Sequence, residues 1–131
     1  MTRAAVDHAA ELGVVVSAAV VDQGGHLVHF QRMDGAEIAG PTLAVDKAFT
    51  AVAHRTSTAE LGPRTVPGGA LQGMHANGGG RYVVFAGGLP CWSTDRQPSV
   101  VAGIGVSGGS AEEDSSCAKA ARDVFDGQVR R

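Results

Sequence analysis

The stretch VVVSAAVVD (residues 14–22) constrains the fold more than any other feature of this chain. It is a nearly unbroken run of β-branched and small apolar residues. Read as a strand, both of its alternating faces are apolar. Such a strand has to be covered on both sides. Asp22-Gln23-Gly24-Gly25 then reads as a turn, and HLVHFQRM (26–33) as the second arm of a hairpin. Hairpins joined by short turns build antiparallel sheets, and helical segments surround this one in the sequence. The expected class is therefore α+β, with an antiparallel sheet flanked by helices.

The helical segments are legible from spacing. RAAVDHAAEL (3–12) carries apolar residues at 5, 6, 9, 10 and 12, and Gly13 is a plausible stop. PTLAVDKAFTAVAHR (41–55) places Leu43, Val45, Ala48, Phe49 and Val52 at helical intervals, with Pro41 acceptable at the start. Ser57 and Glu60 match a capping box for a short helix, stopped by Gly62-Pro63. Residues 62–80 hold two of the five prolines and seven of the 19 glycines, so they read as a long connection with one helical turn near 69–75. RYVVFAG (81–87) reads as a strand, Gly87-Gly88-Leu89-Pro90 as a turn and VVAGIGVSG (100–108) as a further strand. Ser110 and Glu113 form a second capping box, whose helix runs to about Asp126. All 131 residues read as one domain.

Composition narrows the function. The chain is 44% hydrophobic and 18% charged, which suits a buried core and excludes a disordered chain. A net charge of −2 gives no electrostatic footprint for nucleic acid. No apolar run approaches the roughly 20 residues of a membrane span. Arg3, Asp7, His8 and Glu11 interrupt what a signal peptide would need to keep apolar. The expected location is cytoplasmic. With 5% aromatic residues, the core must be built from Ala, Val, Leu and Ile, and domains of this kind often gain burial by oligomerising. Cys91 and Cys117 are too few for a disulfide scaffold or a thiolate metal site.

Several motifs admit a functional and a plain reading. Gly103-Ile104-Gly105-Val106-Ser107-Gly108 matches G-x-G-x-x-G, yet a dinucleotide site needs a second strand after the helix and an acidic residue near its end. The plain reading is a strand whose missing side chains let a helix or ligand come close. His26-x-x-His29 looks like a metal pair, but residues three apart on a strand point to opposite faces unless a bulge intervenes. His75 is isolated in sequence. Asp34-Gly35-Ala36-Glu37 reads either as a helix N-cap or as an acid/base or cation site at the end of the sheet. Lys47, one of two lysines, lies in AVDKAFTAVA and shares a face with Leu43 and Ala51. A desolvated Lys there would serve as acid, base or anion anchor.

Taken together, VVSAAVVDQGGHLVHFQRMDGA (15–36), AVDKAFTA (44–51), NGGGRYVVFAGGLP (77–90) and VVAGIGVSGGSAEEDSSCAKAA (100–121) resemble the GlcG/HbpS-like family, described as haem-degrading. They are also similar to the C-terminal half of PduO-type proteins. The resemblance implies a profilin-like α+β domain with a central antiparallel sheet of about five strands. It implies a homo-oligomer, from dimer to octamer, and haem as the cofactor. Arg32 to Ala36, Lys47, Asn77, Gly78, Gly79 and the turn Gly87, Gly88, Pro90 fall on positions that recur in the family and are expected to surround its pocket. Asp34-x-x-Glu37 is similar to acidic pairs proposed for iron binding in such proteins. Cys91-Trp92 departs from the Pro-aliphatic pair usual there, and the first helix is shorter.

The first functional expectation is binding of haem or a related planar anionic cofactor, linked to haem degradation or redox sensing. Arg32, Lys47 or Arg81 would meet propionates, and His26 or His75 would reach the iron. A second expectation, of another class, is an enzyme of small-molecule catabolism. There Lys47, Asp34 and a His would move protons on an organic acid. Both expectations place these residues around one concave site.

Overall fold

The computed structural model describes all residues, Met1–Arg131. Helix α1 (Thr2–Leu12) leads into strands β1 (Ser17–Asp22) and β2 (Leu27–Arg32). Helices α2 (Gly40–His54) and α3 (Thr58–Thr65) follow. After a long connection come β3 (Gly88–Trp92), β4 (Val100–Ser107) and helix α4 (Ala111–Val129). The four strands form one antiparallel sheet in the order β2-β1-β4-β3.

The two central strands are buried on both faces, as the apolar run requires. On one face Ala18 and Val20 of β1 and Ile104 and Val106 of β4 form a core with α1 and α4. On the other, α2 lies across β4 so closely that a Cβ on Gly103 would sit 2.5 Å from the Ala48 carbonyl oxygen. A Cβ on Gly105 would overlap the carbonyl of Ala44. The G-x-G pattern is thus the seat of a helix, and no dinucleotide unit surrounds it.

Local signals hold at the helix ends. Gly13 adopts φ 75° and closes α1, donating its backbone N–H to the Ala10 and Ala9 carbonyls. Both capping boxes form: Ser57 with Glu60 opens α3, and Ser110 with Glu113 opens α4.

Other expectations are corrected. The sheet has four strands instead of about five. RYVVFAG is not a strand, because its backbone bonds elsewhere: Val83 N donates to the Thr50 hydroxyl of α2 at 3.0 Å. Strand β3 begins only at Gly88, where a turn was expected. Pro90 lies within β3, on the edge of the sheet, where a residue without an N–H is tolerated. Helix α3 does not stop at Gly62-Pro63 but runs to Thr65. Pro63 forgoes its own donor, and Ala59, four residues before it, is on the exposed side. Near 69–75 only short 3-10 turns form, at Met74–Ala76 and Gly78–Gly80. Asp34 does not cap α2, whose N-cap is Ala39 with no side-chain bond.

Candidate functional site

Lys47 is the most deeply buried charge in the chain, with 1% of its surface exposed. Its Nζ donates to Val106 O at 2.8 Å and to Asp114 Oδ2 at 3.0 Å. The Phe85 ring lies 5.2 Å away on a further side. Asp114 spends its other oxygen on the Gly109 N–H at 2.8 Å. Burial pulls the Lys47 pKa below the ordinary lysine value, and the Asp114 carboxylate offsets part of that. Gly87 and Gly88 belong to the same packing. A Cβ on Gly87 would come 2.8 Å from Lys47 Nζ, and one on Gly88 would come 2.5 Å from Lys47 O. Gly87 also has φ 121°, which side-chain-bearing residues rarely adopt. The structure therefore joins Lys47 to Gly87 and Gly88 but leaves no hollow between them.

The remaining predicted residues are dispersed, with His26 and Asp34 beyond opposite ends of β2. Arg32 folds back to donate to the Ala36 carbonyl across the turn that carries Asp34. Asp34 and Glu37 are exposed, and Glu37 is near enough to Lys47 to favour its charge. Arg81 donates from Nε to Asp46 Oδ1 at 2.9 Å and stacks 3.7 Å from the centre of the Phe49 ring. Asn77, Gly78 and Gly79 lie in an exposed turn, and a Cβ on Gly78 would press on the Tyr82 ring at 2.8 Å. His75 is exposed beside them. His26 stands at the hairpin tip, with Nδ1 3.3 Å from Asp22 Oδ1. No group of three His, Cys, Asp or Glu side chains converges to hold a metal ion. None of the chain's three cavities is lined by Arg32, Asp34 or Lys47.

The largest cavity lies elsewhere. A groove of ≈ 710 Å³ runs between the start of α1 and β2, lined by Thr2, Arg3, Val20, Val28, His29 and Phe30 among others. His29 Nδ1 is 2.9 Å from the hydroxyl of buried Thr2. In the tautomer that donates Nδ1–H to Thr2, the lone pair of Nε2 is free. Arg3 is held only by an exposed 3.9 Å pair with Asp7. The sequence reading set aside a metal shared by His26 and His29, on the geometry of a regular strand, and kept His26 but not His29 as a candidate for the iron. The strand is not regular: Val20 pairs with His29 but Val21 with Leu27, so a bulge lies between them. His26 precedes the strand altogether. Nothing in the sequence signalled that Thr2, 27 residues away, would orient the ring.

This fold has counterparts. Residues 1–123 match the model of the family described as haem degrading protein HbpS-like, and the chain belongs to that family. The corrinoid adenosyltransferase PduO of Citrobacter freundii is 41% identical over 121 residues. Those residues are 92% of this chain but only 35% of the relative, so the chain spans a minor part of that enzyme. The crystal structure of Klebsiella pneumoniae protein ORFY superposes with a TM-score of 0.89 at 35% identity, covering 95% of this chain and 85% of that one. The crystal structure of a PduOC:heme complex gives 0.87 at 39% identity, covering 93% and 86%. No helix of this chain is long and apolar enough to cross a membrane.

Proposed function

We propose that this protein binds haem in the groove between α1 and β2, with His29 as the side chain that reaches the iron. The observation that carries this reading is a histidine in the largest cavity, held from behind by Thr2. A second partner on the far ring nitrogen is the usual device for orienting a metal-binding imidazole. The volume lies in the range of cofactor sites. Val20, Val28 and Phe30 offer apolar surface to a flat ring, and Arg3 can leave its weak pair with Asp7 for a propionate. Bound haem would supply an iron centre for redox or oxygen chemistry, the setting that the family description of haem degradation suggests.

The reading includes a profilin-like, homo-oligomeric assembly. Edge strand β2 leaves Leu27 and Val28 exposed, and Ile38 in the following turn is 87% exposed. Such surface is more readily explained by a second copy than by solvent.

Hemin titration of the purified protein tests the site. A saturable Soret shift of about one haem per chain is expected. His29→Ala should lose or change that spectrum, while His26→Ala and His75→Ala should keep it. An unchanged spectrum in His29→Ala, or binding that detergent abolishes, overturns the proposal.

A further inference from the structure

A second cleft, of ≈ 360 Å³, opens on the other side of the molecule, between the start of α3, the end of β3 and α4. Its chemistry is unlike that of the haem groove. Arg55 and Arg122 both line it, and neither takes part in any ion pair of the chain. The Nε of Arg122 is buried and has no hydrogen-bond partner. A buried guanidinium donor without an acceptor is costly, and no carboxylate of the chain compensates the Arg122 charge. Arg55 is the only residue other than glycine with a positive φ, 55°. That conformation closes the C-terminus of α2, and it leaves Arg55 lining the cleft.

The apolar wall is equally specific. Trp92 ends β3 just after a bulge between Cys91 and Trp92, the device that re-aims a strand side chain. Trp92 is 39% exposed and lines the cleft next to Pro90. Glu60 is the one carboxylate in the lining, and it is already engaged by the hydroxyls of Thr56 and Ser57 and by the Ser57 N–H. Two free arginines therefore face one occupied carboxylate. Asp126, one helical turn beyond Arg122, makes no ion pair with it.

We propose that this cleft is a binding site for a small organic anion with a planar apolar body, its oxyanion held by Arg55 and Arg122 and its ring laid against Trp92. Carboxylates and phosphates share the recognition chemistry, since a guanidinium fork matches both. At ≈ 360 Å³ the cleft has about half the volume of the groove between α1 and β2, which suits a single ring better than a haem.

Trp92 is the only tryptophan, so its fluorescence reports on this cleft alone. Haem-free protein would be titrated with phenyl phosphate, benzoate, inorganic phosphate and benzyl alcohol. Saturable quenching is expected with phenyl phosphate or benzoate, and whichever binds tighter names the anion. Inorganic phosphate should bind more weakly, and benzyl alcohol should give no saturation. Arg122→Gln should weaken the preferred anion about tenfold or more. Arg55→Asn should do the same while keeping a residue that tolerates the left-handed backbone. His29→Ala should leave the titration unchanged, which separates this site from the haem groove. No saturable quenching with either ring-bearing anion, or wild-type affinity in both arginine variants, overturns the proposal.

Discussion

Lys47 and His29 mark two regions built from similar material and finished differently. Each places a titratable side chain among small and aliphatic residues next to the sheet. Around Lys47 the space is filled. Its Nζ meets a carbonyl, a carboxylate and an aromatic ring, and Gly87 and Gly88 bring the chain onto α2. Around His29 the space is open, and only one ring nitrogen is engaged. Glycine beside a buried charge can therefore mean that the backbone itself closes the gap. An acid/base role for Lys47 with Asp34 would first require opening the Asp114 pair.

The largest expected effect breaks the closed region. Removing one partner of a buried ion pair leaves the other uncompensated, at a cost of about 3–5 kcal/mol. Lys47→Met and Asp114→Asn should each lower the unfolding free energy measured by urea titration by an amount of that order. The double variant Lys47→Met/Asp114→Leu should recover more than half of the loss, since a packed apolar pair needs no desolvated charge. Single variants that cost under about 1 kcal/mol would place Lys47 in a wetter, more accessible setting than the structure gives it.

A smaller effect probes another fully buried group, Cys91. Burial, aided by Asp126, pushes its thiol from 9.0 up to about 12. The folded state thus keeps its proton where the unfolded chain loses it. The native state then binds more protons than the unfolded one between pH 9 and about 12, so stability falls as pH rises through that window. The advantage of the wild type over Cys91→Ala should be constant below pH 9 and shrink above it, on the order of 1 kcal/mol per pH unit. A constant difference up to pH 11 would mean that the thiol is solvated.

How much of this was readable depends on whether the cause is local. The doubly covered strand, both capping boxes and the Gly13 stop rest on residues within a few positions of one another, and all are present. RYVVFAG looked like a strand because its composition is that of one. Its register was set by Thr50 on another helix, and no local pattern records that. Gly103 and Gly105 were visible as a close approach, and what approaches them is α2; Gly87 and Gly88 read as a turn, yet they too lie against Lys47 of α2. Lys47 was legible as a candidate for burial from its face on the helix. Asp114, 67 residues later, was not legible as its partner. The His29 groove was hidden for the same reason, by a bulge and by a contact with the first turn of α1.

The smallest expected effect on stability tests that last contact. Thr2→Val keeps the branched shape and removes only the hydroxyl, so α1 and its packing should be unchanged. Water can replace the lost partner of the exposed His29 ring, which limits the cost to about 1 kcal/mol or less. The effect on the groove should be larger than that on the fold. Without Thr2, the imidazole loses the bond that selects its tautomer, and hemin affinity should fall about tenfold, the lower end for such outer partners. In the closed region stability and chemistry cannot be separated, because every group there is bonded to another. In the open region they can, so hemin affinity should drop in Thr2→Val while the urea midpoint barely moves. A variant with unchanged hemin affinity would show that His29 is oriented by something other than the start of α1.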